Sequence, residues 1–187
     1  MNDLSMHILD IIQNSLSAGA TTIELVVCED VINNLLTIVI QDNGKGMSPE
    51  QVAKVTDPFF TSRTTRKVGM GLPLYRQSAE QSDGALKVES KVGVGTTVTA
   101  TFRYDHLDRP PMGNLANAVV LMISANPNHL FRFTYTYNDK SYSIDTQEIN
   151  LALDGMPIHE MQVIRMIQQI IEENMLALRE NDIPLSD

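Results

Sequence analysis

Two neighbouring runs of β-branched and other apolar residues most constrain the fold of this 187-residue chain. The runs span residues 21–29 and 35–42, and the short segment between them contains Asn33 and Asn34. β-branched residues favour strands, and Asn is common in tight turns because its side chain bonds locally and tolerates a left-handed backbone. The sequence therefore predicts an antiparallel strand pair on which the other elements must pack.

Helical periodicity precedes this strand pair, and a second pair follows it. Leu4, Ile8, Ile12 and Leu16 recur every four residues, and Gly19 stands where a helix ends, so residues 3–18 are predicted to be a helix. We also expect helices over residues 49–55 and 70–81 and strands over 86–90 and 96–104. This order indicates an α+β fold, with helices on one face of a mixed, mostly antiparallel sheet.

The sequence also predicts a division of the chain near residue 104. Pro110 and Pro111 indicate a linker, after which we expect a small α+β module with a hairpin (131–137 and 141–144) and helices over 112–124, 147–153 and 158–180. Residues 1–104 hold 9 basic and 11 acidic residues, a balance of -2, whereas residues 105–187 hold 5 and 12, a balance of -7. Composition alone favours an interaction role for the acidic module.

Charge and composition exclude several classes of function. A net charge of -9 makes generic nucleic-acid binding unexpected. The sequence has no apolar run of the roughly 18 residues that a membrane span needs, and its first residues lack a basic signal region. A single cysteine, Cys28, excludes a disulfide framework. We therefore expect a cytoplasmic protein that does not bind membranes.

The first predicted helix carries short polar residues at helical spacing. His7, Asp10, Asn14 and Ser17 step by three, four and three, which places them on one face. An amphipathic helix needs a solvated face, and that is one interpretation. The other is a site, because an amide oxygen at Asn14 could ligate Mg²⁺ and a carboxylate at Asp10 could orient a water molecule.

A glycine-rich segment follows the second strand directly. The segment is Asp42-Asn43-Gly44-Lys45-Gly46-Met47. Alone it reads as a common turn. It is also compatible with a site, since an Asp at a strand end can accept a hydrogen bond from the exocyclic amine of adenine, and glycine allows backbone to approach a flat ligand.

A basic loop precedes the third predicted helix. Residues 61–76 contain Arg63, Arg66, Lys67 and Arg76 and no acidic residue, and Gly69-Met70-Gly71-Leu72 lies within them. The loop could simply be solvated. Alternatively, glycine N–H groups at a helix N-terminus beside cations suit a phosphate. Downstream, Gly95-Thr96-Thr97 could add a hydroxyl to an adenine contact.

Together these segments resemble the Bergerat-fold ATP-binding domain of the GHKL superfamily, which includes gyrase, heat-shock chaperone, histidine-kinase and MutL ATPases. The resemblance covers residues 1–104, just over half the chain. The first box is similar to that of MutL, with Asp10 in place of Glu, which implies slow hydrolysis or none. The Asp57-Pro58-Phe59-Phe60-Thr61-Ser62-Arg63 and Val68-Gly69-Met70-Gly71-Leu72 segments resemble histidine kinases.

The resemblance implies a set of site residues. Asn14 would hold Mg²⁺, Asp10 and Arg63 would be catalytic, and Asp42 would bind the adenine amine with support from Gly46 and Thr96. The full set expected to bind ATP is Asn14, Asp42, Gly44, Gly46, Met47, Phe60, Arg66, Lys67, Gly69, Gly71, Leu72 and Thr96.

Three functions remain open from the sequence. The first is a histidine-kinase-like protein that transfers the γ-phosphate of ATP to a His or Ser of a partner protein. The second is an ATPase switch that clamps or dimerises on ATP. The third is a nucleotide sensor without turnover. His7 is a poor acceptor because it lies in the ATP-site helix, and a homodimer is compatible with the apolar residues of the last helix.

Overall fold

A computed structural model describes residues 3–57 and 71–180 of the chain. Its helices are α1 (Leu4–Ser17), α2 (Pro49–Val55), α3 (Gly71–Glu80), α4 (Leu115–Ala125), α5 (Thr146–Leu153) and α6 (Met161–Glu180). Its strands are β1 (Thr22–Asp30), β2 (Leu35–Asp42), β3 (Ala85–Lys91), β4 (Gly95–Arg103), β5 (Leu130–Tyr137) and β6 (Lys140–Asp145).

The six strands form one mixed sheet in the order β3-β4-β2-β1-β5-β6. Four neighbouring pairs are antiparallel, and β1 and β5 are parallel, with Thr22 opposite Leu130. The α+β class and the predicted strand pair β1–β2 are confirmed. Asn34 has the left-handed backbone (φ 56°) expected of the turn between these strands.

Local capping explains where the helices around the site begin and end. The Asp3 carboxylate accepts a hydrogen bond from the Met6 N–H at the start of α1, and Gly19 follows its end with a φ of 78°. Ser48 and Gln51 form a reciprocal capping box at α2, with Pro49 in the first helical position. The end of α1 and the glycine-rich segment before α2 lie at the same end of the strand pair, because Ile23 is opposite Asp42.

Burial alternates along the central strands. Ile23, Leu25 and Val27 of β1 are at most 1% exposed, whereas the residues between them are half-buried. The helices contact the sheet and complete this core, so one sheet face is covered and the other carries the alternate side chains. The covered face is the one on which α1 brings its polar residues next to the end of β2.

Residues 105–180 continue the same sheet and the same core. β5 pairs with β1 along its length. The segment that follows β4 also bonds the start of α1: Leu4 N–H donates to the Pro111 carbonyl and Ser5 N–H to the Met112 carbonyl, both at 2.9 Å. Buried residues of both segments form one cluster. The division of the chain into domains 1–104 and 105–187 stays a prediction.

A buried carboxylate connects β1 to the end of α6. Glu29 is 4% exposed and accepts hydrogen bonds from Arg179 Nη2 at 2.7 Å, Tyr135 Oη at 3.1 Å and Tyr104 Oη at 3.0 Å. Arg179 Nε also donates to Tyr135 Oη at 2.7 Å. Burial raises the pKa of the Tyr104 hydroxyl to about 12 and the adjacent Glu29 charge adds to this, so the phenol remains a donor.

The last helix differs in detail from its prediction. It begins at Met161 rather than residue 158, and Met161 and Met166 are 62% and 48% exposed. Val163, Ile167, Ile171 and Met175 form its buried stripe instead. Within the described ranges, neither this 20-residue helix nor any other is long and apolar enough to cross a membrane.

Candidate functional site

The carboxylate of Asp42 is fixed at the end of β2 by three donors. Ser15 Oγ donates to Oδ2 at 2.6 Å, while the backbone N–H groups of Gly44 and Thr96 donate to Oδ1 at 2.8 and 3.3 Å. The carboxylate is therefore a preoriented acceptor that faces α1. Hydrogen bonds to an ionised group are the stronger class, so this orientation is well defined.

Sequence reasoning missed Ser15, although it lies next to Asn14. Its side chain is 4% exposed, and it points towards β2 rather than along the solvated face of α1. A small polar residue on the buried side of an otherwise apolar helix face was the available signal. Ser15 joins the helix that carries Asn14 to the strand that carries Asp42.

The glycine-rich segment packs against the β3–β4 hairpin. A Cβ on Gly46 (φ 67°) would lie 2.0 Å from the Lys91 carbonyl oxygen, and one on Gly95 (φ 139°) would lie 1.9 Å from the Asp42 carbonyl oxygen. Only glycine fits at either position. These two glycines are thus required for the close approach of protein backbone, whereas the sequence suggested a ligand as the reason for Gly46 and no such reason for Gly95.

Ser90 connects that segment to Thr96 and is a second residue that the sequence did not indicate. Its hydroxyl accepts a hydrogen bond from the Met47 N–H at 2.8 Å, donates to the Gly95 carbonyl at 3.0 Å and lies 2.8 Å from Thr96 Oγ1. The Thr96 side chain is consequently held at the wall of the site.

The polar stripe of α1 divides between two surroundings. Asn14 and Ser17 are exposed on the site wall, as predicted. His7 is only 2% exposed, stacks on Tyr75 of α3 with ring centroids 4.9 Å apart, and has Nε2 3.3 Å from Ser78 Oγ. The prediction that His7 shares an open polar face is therefore wrong, because α3 covers that end of α1. Burial lowers the pKa of His7.

Asp10 lies between these two surroundings, against the start of α3. A Cβ built on Gly71, the first residue of α3, would be 1.6 Å from Asp10 Oδ2. The carboxylate thus occupies the space that any other residue at position 71 would need. A negative charge near a helix N-terminus is favourable, so this placement also suits the α3 dipole.

A cavity of about 290 Å³ joins most of these residues. Its wall includes Asn14, Asp42, Gly46, Met47, Leu72 and Thr96 from the predicted set; the other lining residues are Ile11, Ser15, Ser17, Ala18, Lys45, Val55 and Val98. Apolar side chains around one fixed carboxylate suit a flat heterocycle with an amine, because most of a ligand surface is buried by apolar contact and a few polar groups orient it.

The other predicted site residues are not among the described residues that line this cavity. Gly44 donates to Asp42, which lines the cavity, whereas Gly71 lies against Asp10, which is not among the lining residues. Phe60, Arg63, Arg66, Lys67 and Gly69 lie outside the described residues.

Comparison with known proteins identifies the family of this segment. A family model described as "Histidine kinase-, DNA gyrase B-, and HSP90-like ATPase" matches residues 2–106. The chain belongs to this family. Residues 2–106 are accordingly a histidine kinase-, gyrase B- and HSP90-like ATP-binding domain, and the predicted superfamily is confirmed.

Relatives in this ATPase family are much longer than the segment that matches this chain. The Non-motile and phage-resistance protein of Caulobacter vibrioides is 31% identical over 111 residues, which are 54% of this chain and 13% of the relative. Histidine protein kinase SaeS of Staphylococcus epidermidis is 33% identical over 92 residues, 46% of this chain and 26% of the relative. The chain therefore matches only a minor part of these relatives.

A solved structure supports the fold of the ATPase domain. The N-terminal domain of a DNA repair protein superposes with a TM-score of 0.56 at 17% identity, and covers 77% of this chain and 52% of that one. At such identity the likeness shows the fold alone. It extends beyond residues 2–106, as expected if β5 and β6 continue the sheet.

Proposed function

We propose that this chain binds ATP with Mg²⁺ in the cavity between α1 and the end of β2, and transfers the γ-phosphate to a His or Ser of a partner protein. The observation that carries the proposal is the Asp42 carboxylate, fixed by Ser15, Gly44 and Thr96 at the wall of an apolar cavity. Asp42 accepts from the adenine amine, and Thr96 and Gly46 support the ring.

Asn14 is the residue that fits Mg²⁺. Its amide lies exposed on the cavity wall, and amide oxygens are suitable ligands for a hard cation. When bound, Mg²⁺ neutralises the charge that develops on the transferred phosphoryl group. Asn14 orients the polyphosphate, and the N-terminus of α3, at Gly71, faces the polyphosphate. From the sequence pattern, Arg63, Arg66 and Lys67 form a lid that neutralises phosphate charge. Gly69 cradles the phosphates together with Gly71, and Phe60 contributes to nucleotide binding.

Transfer to another protein is supported by two observations. The relatives include a histidine protein kinase. In this chain His7 is nearly inaccessible, because it stacks on Tyr75 beneath α3. An acceptor outside the ATP-site helix is therefore required. A cytoplasmic location and a homodimer stay predictions of the same proposal.

An ATP-hydrolysing switch is the second candidate, and Asp10 favours it. The half-buried Asp10 carboxylate lies one helical turn before Asn14 on α1 and contacts the start of α3. A carboxylate there can orient an attacking water and respond to movement of α3. A nucleotide sensor without turnover would share the same cavity.

The proposal is tested by following γ-labelled ATP with Mg²⁺ and the chain in a mixture of proteins. We expect acid-labile label on a partner histidine, or alkali-labile label on a serine, which is lost with Asp42→Ala. Ser124→Ala is the matched control, since Ser124 lies on α4, is not among the residues that line the cavity, and donates to the Leu121 carbonyl at 3.2 Å. Label released solely as phosphate would favour the switch, and bound ATP without either outcome would favour the sensor.

A further inference from the structure

One cation on the wall of the ATP cavity has no assigned role. Lys45 lies between Gly44 and Gly46 and lines the cavity beside Asn14, Ser17 and Asp42. Among the described lining residues, Lys45 is the only base and Asp42 the only acid. Asp42 is already engaged by three donors, and Lys45 forms no ion pair with any residue of the described ranges.

The backbone of Lys45 is fixed on both sides. Its N–H donates to the Ala18 carbonyl at 2.9 Å, and its carbonyl accepts from the Gly93 N–H at 2.8 Å. The flanking glycines pack against Ala18 and Lys91. The side chain is exposed, so a rigid loop presents a mobile ammonium group at the edge of the cavity.

This anchoring places the backbone of Lys45 beside the end of α1. Ala18 follows Asn14 by four residues, which is about one helical turn and about 6 Å along the axis. The four-carbon stem of lysine spans a comparable distance, and its three donors suit anionic oxygens. Lys45 and Asn14 also line the same cavity.

We infer that Lys45 donates to the phosphate oxygens of ATP and so supplies, from the glycine-rich segment, a cation on the α1 side of the site. The inference rests on the proposed function. This contact also offsets the repulsion between the protein and ATP. A chain with a net charge of -9 disfavours a polyanionic ligand unless a local cation faces that ligand.

Binding of ATP and adenosine to the full chain, measured by calorimetry with Mg²⁺, tests the role. We expect Lys45→Met to raise the Kd for ATP about tenfold, equivalent to about 1.4 kcal/mol, and that for adenosine by less than about twofold. Lys45→Arg should retain binding. Lys87→Met is the matched control, because it removes the same charge from β3, where Lys87 pairs with Glu89 at 2.9 Å.

A charge relocation tests the place of the cation. Ser17 lines the same wall on an exposed turn of α1, so Ser17→Lys in the Lys45→Met background should recover most of the lost ATP affinity. A double variant as weak as Lys45→Met would overturn the assignment to the α1 side.

Other outcomes separate this inference from the proposed function. Unchanged ATP binding by Lys45→Met, or an equal loss for ATP and adenosine, would overturn the role of Lys45 while the ATP site stands. Failure of the wild-type chain to bind either ligand would overturn the proposed function and the inference together.

Discussion

The hydroxyl of Ser15 helps to determine the orientation of the Asp42 carboxylate in the candidate site. It donates to Asp42 Oδ2 at 2.6 Å and lies on the helix that also carries Asn14. Hydrogen bonds to charged groups contribute about 1.5–3 kcal/mol. Part of this free energy maintains the orientation in which Asp42 accepts from a ligand.

Ser15→Ala should therefore weaken ATP binding about tenfold, because the Asp42 carboxylate loses its only side-chain donor among the described residues. The Kd from calorimetry is the measurement. Ser124→Ala on α4, which is not among the residues that line the cavity, is expected to change the Kd by less than about twofold. A Kd for Ser15→Ala that equals the wild-type value would show that Gly44 and Thr96 orient Asp42 without it.

His7 gives the fold a pH dependence at the residue scale. Burial lowers its pKa in the folded state, and the N-terminal charge adds to this, while Asp10 and Asp3 oppose it. A group with a lowered basic pKa binds more protons when unfolded, so stability falls as pH decreases below about 6.5, the unfolded value, and continues to fall until the folded pKa is reached.

His7→Phe should retain the stack on Tyr75 and remove this contribution. Denaturant unfolding at pH 7.5 and pH 5.5 then compares the two proteins, and the wild type should lose more stability than the variant over this interval. Equal losses would indicate that His7 binds a proton as readily in the folded state as in the unfolded state, so that burial does not lower its pKa.

The contact between α1 and α3 depends on one glycine at the element scale. Gly71→Ala would place a methyl group where Asp10 Oδ2 lies, at 1.6 Å. We expect a destabilisation of about 1–3 kcal/mol, as for other overpacked sites. In the Asp10→Ala background the same change should stabilise the protein slightly, since Ala is the better helix former by roughly 0.5–1 kcal/mol.

A double-mutant cycle in urea measures this coupling. Additive effects of the two substitutions would mean that the Asp10 carboxylate rotates away freely. Non-additive effects would show that Asp10 and the start of α3 are energetically coupled. An ATP-dependent switch needs such a coupling.

Local signals predicted the elements, because each has its own cap or turn. Gly19, Asn34 and the Ser48–Pro49 pair all mark the ends that the structure shows. Strand order was not predictable, since the pattern of β5 does not encode its parallel pairing with β1. For the same reason His7 was misplaced: helical spacing identifies a polar face but not the element that covers it.

The site was predictable where a residue type has few alternatives. Asp42, Asn14 and Thr96 follow from the motif, and the structure brings them to one cavity. Ser15 and Ser90 were not found because serine is common and their roles depend on contacts between elements. Gly46 was expected to approach a ligand, but the backbone that it approaches belongs to the protein itself, and the tight packing of Gly95 was not predicted.

At the scale of the whole molecule, residues 105–180 support the ATP-site helix. They donate a strand to β1 and bond the first N–H groups of α1 through the carbonyls of Pro111 and Met112. A chain truncated after residue 104 would expose the edge of β1 and the apolar side of α1. Unpaired edges and exposed apolar surface favour aggregation over folding.

We therefore expect the truncated chain to show no cooperative thermal transition by circular dichroism, and residues 105–187 added as a separate fragment to restore one. The intact chain is the control. A cooperative transition of the truncated chain alone would support the predicted division into two domains.

The bond between Glu29 and Arg179 also has a mechanical consequence. Arg179 belongs to the last turn of α6 and Glu29 to one end of β1, while the other end of β1 meets the site, where Asn43 Oδ1 accepts from the N–H groups of Thr21 and Thr22, each at 2.9 Å. A nine-residue strand spans about 30 Å and resists stretching. A load applied to α6 would thus be transmitted along β1 to the loop beside Asp42, so that β1 acts as a rigid strut between the end of α6 and the proposed nucleotide site.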